Sequence, residues 1–146
     1  MVKKFNPKAR HRARRMAVQA LYQWQLVGHD IADIEAQFLQ ANDVEDIDVP
    51  YFTEALHYIP SHIDTLDGHM TPYLDRAVNE LSPVELAVLR LGVYELSQRI
   101  DTPYKVVLNE AVELAKVFGA AEGHRYINGV LDKVAGDLRK VEKKGA

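Results

Sequence analysis

Residues 82–98 read Ser82-Pro83-Val84-Glu85-Leu86-Ala87-Val88-Leu89-Arg90-Leu91-Gly92-Val93-Tyr94-Glu95-Leu96-Ser97-Gln98. Ser82 followed by Pro83 marks a helix start: the hydroxyl can accept a first-turn N–H, and the missing proline N–H costs nothing there. Glu85, three residues on, completes the spacing of a capping box. Val84, Val88 and Leu91 then fall on one side and Leu86, Leu89, Val93 and Leu96 on another, so the helix is apolar over most of its circumference. It is predicted to be the buried central helix.

The flanking sequence is helical as well, with apolar residues spaced by three and four and no two-residue alternation or Asn-Gly hairpin. The first helix is predicted from Pro7 or Lys8 to a stop at Gly28, with Ala13, Ala17, Ala20, Leu21 and Trp24 as its apolar stripe. A second follows Asp30 and carries Ile31, Ile34, Phe38 and Leu39. Asn42 to Asp48 forms a loop, and Pro50 opens a third helix towards Gly68. Thr71-Pro72 and Thr102-Pro103 repeat the Ser82-Pro83 device and are predicted helix starts. The helix from Pro103 carries Val107, Ala111, Leu114 and Phe118 and is stopped by Gly119. A last helix over Glu122 to Asp137 carries Ile127, Val130, Leu131 and Val134, and the polar tail from Arg139 to Ala146 is expected to fray. The expectation is an all-α fold of six to seven helices in two packed three-helix-type subdomains, residues 1–70 with a basic arm and residues 71–146.

A chain of 146 residues is the size of one domain, and its 47% hydrophobic and 27% charged residues exclude a disordered chain. No apolar run approaches the roughly 18 residues of a membrane span. The absence of cysteine excludes disulfides, thiolate nucleophiles and cysteine zinc sites. With no apolar secretory signal at the N-terminus, a cytoplasmic protein is expected.

The net charge of −3 hides a strong asymmetry. Residues 1–15 contain Lys3, Lys4, Lys8, Arg10, Arg12, Arg14 and Arg15 with no acidic residue, whereas residues 16–75 hold eleven acidic residues and no lysine or arginine. A cationic arm on an acidic body is a footprint of nucleic-acid binding; a solvated, frayed terminus is the competing reading.

Catalytic chemistry finds little support. His11, His29, His57, His62, His69 and His124 lack the i, i+4 pairing of a helical zinc site. No GxxxxGK, GxGxxG or GxSxG pattern occurs, the only serines are Ser61, Ser82 and Ser97, and the many carboxylates read as a solvated face. No cofactor, metal or enzymatic activity is expected.

Cations paired with aromatics stand out instead. On the first helix His11, Arg15, Val18 and Tyr22 lie along one flank with Arg14 beside it. A second grouping runs from Phe118 through Gly119, Glu122 and Gly123 to Arg125 and Tyr126. Exposed bases stack on rings while lysine and arginine neutralise the backbone, so such pairings suit single-stranded RNA. A core role for Phe118 and a half-buried ring at Tyr126 are the alternatives. Glu122 favours the start of the last helix and should repel phosphate.

Four stretches carry a resemblance: Ala17-Val18-Gln19-Ala20-Leu21-Tyr22-Gln23-Trp24-Gln25, Val88-Leu89-Arg90-Leu91-Gly92-Val93-Tyr94-Glu95-Leu96, Pro103-Tyr104-Lys105-Val106-Val107-Leu108-Asn109-Glu110-Ala111 and Asn128-Gly129-Val130-Leu131-Asp132-Lys133. In this order they resemble the NusB family of bacterial transcription antitermination factors over essentially the whole chain. The resemblance implies an all-helical fold of two subdomains and binding to the boxA element of ribosomal-RNA leader transcripts. It also implies a heterodimer with NusE, a small-subunit ribosomal protein, within the antitermination complex on RNA polymerase. It places RNA contacts at Arg10, Arg12, Arg14, Arg15, Tyr22, Phe118 and Tyr126. Tyr126 stands where the family has phenylalanine, and Arg15 replaces a less basic residue. Glu85 and Arg90 fall on the partner-protein surface that the resemblance implies, with a helix cap and a surface ion pair as their competing roles. A homodimer is among the states open to the free chain. Two other functions remain in view: a NusB-like domain serving a ribosomal-RNA-modifying enzyme, which the absence of a cofactor glycine motif disfavours, and a protein-binding helical adaptor.

Overall fold

The computed structural model describes residues 5–119 and 121–145. Its helices are α1 (Pro7–Val27), α2 (Ile31–Ala41), α3 (Val49–Ser61), α4 (Ile63–Met70), α5 (Pro83–Gln98), α6 (Tyr104–Val117), α7 (His124–Leu138) and α8 (Lys140–Gly145), joined by loops and three short 3-10 turns. Among the described residues there is no strand, and no helix is long and apolar enough to cross a membrane.

Most boundaries follow from capping chemistry. The Asn6 side chain accepts from the N–H groups of Lys8 and Ala9, starting α1; Asp30 and Asp48 do the same for α2 and α3. Gly28 and Gly119 follow α1 and α6 at φ of 73° and 90°, the left-handed region that favours glycine.

The all-α expectation holds, but there are eight helices rather than six or seven. The helix expected from Pro50 to Gly68 is broken at His62, because Pro60 has no N–H to continue the ladder. Ser61 turns its hydroxyl back to the carbonyls of His57 and Tyr58, completing the break. Thr71-Pro72 opens only a single 3-10 turn, Thr71–Tyr73. The Thr71 hydroxyl donates backwards to the Asp67 carbonyl and does not cap a new helix. At Thr102-Pro103 a helix does follow, but Thr102 is buried and no side chain of the Thr-Pro pair caps it. The Tyr104 N–H is met at 2.8 Å by Glu142, from the far end of the chain.

That contact corrects the expectation of a frayed tail. Arg139 is 5% exposed, and its guanidinium reaches the carbonyls of Leu96 (2.9 Å), Thr102 (2.9 Å), Glu95 (3.2 Å) and Arg99 (3.0 Å), and the Glu142 carboxylate (2.6 Å). The Glu95 carbonyl already accepts the Arg99 N–H, whereas the later carbonyls of α5 lack a partner within their own helix, and a cation at that end also suits the helix dipole. The tail through Gly145 is therefore held by a task the helical pattern does not register.

The expectation of a central α5 is met: every residue from Ala87 to Leu96 is buried. Helices α1, α6 and α7 surround it, with α3 and α4 completing the shell. Helix α1 runs antiparallel to α5, since Arg14 meets Glu95 near one end and Gln25 meets the Pro83 carbonyl at the other. Helix α7 lies close enough that a Cβ at Gly92 would come within 2.7 Å of Leu131.

The hydrogen bond from the Tyr104 N–H and the Arg139 guanidinium hold the Glu142 carboxyl below its ordinary value of 4.5. A carboxyl with a lowered folded-state pKa stabilises above its unfolded value and loses that contribution as pH falls through the folded one. Glu142→Gln is therefore expected to unfold more readily than the parent above about pH 5, with the gap closing as pH drops below 4. Urea titrations across that range test this; a gap independent of pH would show that the ionised carboxylate is not what matters.

Candidate nucleic-acid interface

Helix α1 divides its cations between two faces. Arg14 is 3% exposed and Glu95 2%, and Nε and Nη2 of Arg14 donate to the Glu95 carboxylate at 2.9–3.1 Å. Burial lowers the Arg14 pKa, but the charge and hydrogen bonds of Glu95 outweigh it and leave the guanidinium above its ordinary value. Arg10 donates to Asp48 at 3.1 Å and lies over the Phe5 ring. Arg10, Arg14 and Arg99 all place guanidinium carbons 4.9–5.6 Å from the centre of the buried Tyr51 ring. Arg10 and Arg14, expected at phosphates, are thus turned inward onto carboxylates and an aromatic ring. Their role in this fold is to hold α1, α3 and α5 together.

Lys8, Arg12 and Arg15 remain exposed. At 100° per residue they share an arc of roughly 80° with Gln19 and Tyr22, and all five face solvent. The flank expected through His11 and Val18 is shifted, since Val18 is buried and His11 is held 2.6 Å from Glu110 of α6. Lys3 and Lys4 lie outside the described residues.

The exposed row leads into a groove. Val18, Gln19 and Tyr22 of α1, Val84 of α5 and Phe118 at the end of α6 line a cavity of about 280 Å³. Val84 and Phe118 also line the adjoining cavity of about 560 Å³, with Ser82, Glu85, Gly119, Glu122 and Gly123. Tyr22 and Phe118, 96 residues apart in the chain, thus meet in one depression that is uncharged on the α1 side, where the exposed cations lead up to it, and carboxylate-lined on the other.

Glu85 shows only half of the expected capping box. Its N–H donates to Ser82 Oγ at 3.1 Å, while its carboxylate lies against Gly123, where an added Cβ would come within 2.6 Å of Oε2. Arg90, expected on the partner surface or in a surface pair, is buried and bonds Asp67 of α4 at 2.8 and 3.0 Å and Gln25 at 3.0 Å. It ties α1, α4 and α5 together and is only 8% exposed. Tyr126 is half-buried, and its hydroxyl accepts the Asp75 N–H. Arg76, itself bound to Asp75, stacks over the ring at 4.9 Å. Arg125 and Glu122 are exposed.

Sequence reasoning missed Gln19, Val84 and Arg76. Gln19 follows Arg15 by one turn and could have been found on the same stripe. Nothing local marks Val84 or Arg76, which matter only through contacts made across the fold. Among the described residues no group of three or more His, Asp or Glu could hold a metal ion.

Comparison with known proteins decides the family. The family model described as "NusB family" matches residues 11–136, which span most of the chain. The chain belongs to the NusB family. Transcription antitermination protein NusB of Alcanivorax borkumensis is 57% identical over 136 residues, covering 93% of this chain and 91% of that protein. Among solved structures, T. maritima NusB superposes with a TM-score of 0.82 at 28% identity, covering 97% of this chain and 99% of the other. A crystal structure of the antitermination factors NusB and NusE in complex with double-stranded RNA superposes with a TM-score of 0.79 at 25% identity, covering 88% and 97%. The helical arrangement around α5 is therefore a NusB fold.

The two arginine populations separate experimentally. Arg14→Met strands a buried carboxylate and is expected to lower the unfolding free energy by about 3–5 kcal/mol, whereas Arg15→Gln should stay within about 0.5 kcal/mol of the parent. Denaturant unfolding followed by circular dichroism reads both, and equal effects would contradict the inward placement of Arg14.

Proposed function

We propose that this chain is a cytoplasmic transcription antitermination factor that binds single-stranded boxA RNA of ribosomal-RNA leader transcripts together with NusE, and so modifies elongation by RNA polymerase. The observation that carries this reading is the exposed row Lys8, Arg12, Arg15, Gln19 and Tyr22 running into the groove closed by Phe118. Phosphates meet the cations while bases stack on the rings. The solved complex of a relative with NusE and double-stranded RNA supports NusE and an RNA as partners.

In this reading Lys8, Arg12 and Arg15, with Lys3 and Lys4 ahead of them, contact phosphate. Tyr22 and Phe118 take bases, and Arg125 and Tyr126 extend the surface beyond the glycine turn. Residues 1–70 and 71–146 act as two subdomains, the first supplying Gln19 and Tyr22 and the second Val84 and Phe118. Glu85 faces the groove and is the better candidate for contact with NusE, since Arg90 is occupied. The reading requires no cofactor and no catalytic step.

Three to five phosphate contacts at about 0.7 each predict that log K falls against log salt with a slope of roughly −2 to −3.5. Neutralising Arg12 and Arg15 together should reduce the slope by about 1.4 without altering stability. The measurement is affinity for a boxA RNA against a scrambled RNA of equal length, as single strand and as duplex, with and without NusE. Preference for the single-stranded boxA sequence, and a coupling with NusE of about 1–3 kcal/mol, are expected; equal affinity for both sequences would reject the proposal.

Glu122 and Phe118 should act in opposite directions. Glu122→Gln removes a like charge beside the phosphates and is expected to tighten binding by about 0.5–1 kcal/mol at low salt. Phe118→Ala should cost about 1–3 kcal/mol if a base stacks on that ring. Weaker binding by folded Glu122→Gln would place a hydrogen-bond donor, and not a phosphate, beside this carboxylate.

A further inference from the structure

We propose that Gln19 is a specificity-determining residue, its carboxamide reading the edge of one unstacked RNA base held in the slot between Tyr22 and Phe118. The inference rests on the RNA-binding reading above and goes beyond it by assigning sequence discrimination to one side chain.

Helix α1 carries three glutamines with different surroundings. Gln23 pairs with Gln37, and Gln25 donates to the Pro83 carbonyl and accepts from Arg90. Among the described residues Gln19 alone of the three forms no side-chain hydrogen bond, and it is exposed at the mouth of the cavity. The other lining residues are two rings and two valines, so the carboxamide is the chief side-chain hydrogen-bonding group facing the slot besides the Tyr22 hydroxyl.

Size and charge select the occupant. A volume of about 280 Å³ lies just below the range of roughly 300–1,000 Å³ typical of clefts for drug-sized ligands, which suits a single planar heterocycle. No charged side chain lines the slot, so it offers nothing to a phosphate. Arg15 stands one turn before Gln19 on the same face, whereas Glu85 and Glu122 line the cavity beyond Phe118. The sugar–phosphate backbone is thus drawn to the α1 side and repelled from the far side, which points the base inward.

Inside the slot the rings supply stacking that every base can use, and discrimination falls to hydrogen bonds with the base edge. A carboxamide has a donor and an acceptor side by side and can meet an edge that offers the complementary pair.

The test uses the full-length protein with NusE and a panel of boxA RNAs, each carrying one substituted base. The parent is expected to discriminate at several positions. Gln19→Met keeps the length of the side chain but removes both hydrogen-bonding groups. It should flatten the preference at one position, by roughly 5- to 150-fold, while leaving the other positions and the salt slope unchanged. Gln19→Glu, which keeps only acceptors, should re-rank that same position towards a base with an exposed amino group. Because Gln19 is exposed, both variants are expected to fold, and circular dichroism checks this.

A Gln19→Met profile identical to the parent's, or weakened equally for every RNA, overturns the assignment. An unchanged RNA profile with weaker NusE binding also overturns it, since the slot would then belong to the protein partner. If the parent itself shows no preference for boxA, the functional reading fails; if the parent discriminates and the variant keeps its profile, only the role of Gln19 fails.

Discussion

The pair formed by Arg14 and Glu95 sets the rotation of α1 against α5, and the surface of the protein follows from that rotation. Both side chains are nearly inaccessible, and two charges removed from water need close, well-matched partners to offset their desolvation. The guanidinium of Arg14 reaches both carboxylate oxygens, a geometry that tolerates little rotation of α1. Once Arg14 is fixed inward, Arg10 one turn earlier is carried onto Asp48 and Tyr51, and Lys8, Arg12, Arg15, Gln19 and Tyr22 are turned outward. A structural ion pair thereby determines which cations remain available to a polyanion.

The groove depends on a second set of contacts at the opposite end of the molecule. Val84 and Glu85 belong to the first turn of α5, and Phe118 ends α6, so the positions of these two helices define its walls. Arg139 gathers the terminal carbonyls of α5, and Glu142 caps the first turn of α6. The close approach of α7 at Gly92 completes the packing. The polar C-terminal residues therefore serve the interface without lying near it, by supplying partners to backbone groups such as the Leu96 and Thr102 carbonyls and the Tyr104 N–H.

Charge in the interface runs in one direction, with cations on α1 and carboxylates at Glu85 and Glu122. A uniformly positive surface would attract any polyanion in any orientation, whereas a cationic edge facing an acidic one favours a single placement of the strand. The acidic body of the chain extends the same effect, since residues 16–75 carry no lysine or arginine.

Local pattern determined most of the helices, because caps, prolines and apolar spacing act within a few residues of one another. Asn6, Asp30, Asp48 and Ser82 start helices by binding their own first-turn N–H groups, and the apolar circumference of α5 required its burial. The NusB relationship was also legible, being carried by contiguous stretches. Tertiary structure decided the rest. The seven cations at the N-terminus are alike in sequence, and only the positions of Glu95 and Asp48, 81 and 38 residues away, separate the inward arginines from the outward ones. Tyr22, Val84 and Phe118 form a slot solely because three helices converge there. Arg139 and Glu142 are ordinary polar tail residues until the ends of α5 and α6 are brought to them. In each case the deciding partner is distant in the chain, and the energy of a buried charge or an unpaired carbonyl depends on what packing places beside it, which helical periodicity does not encode.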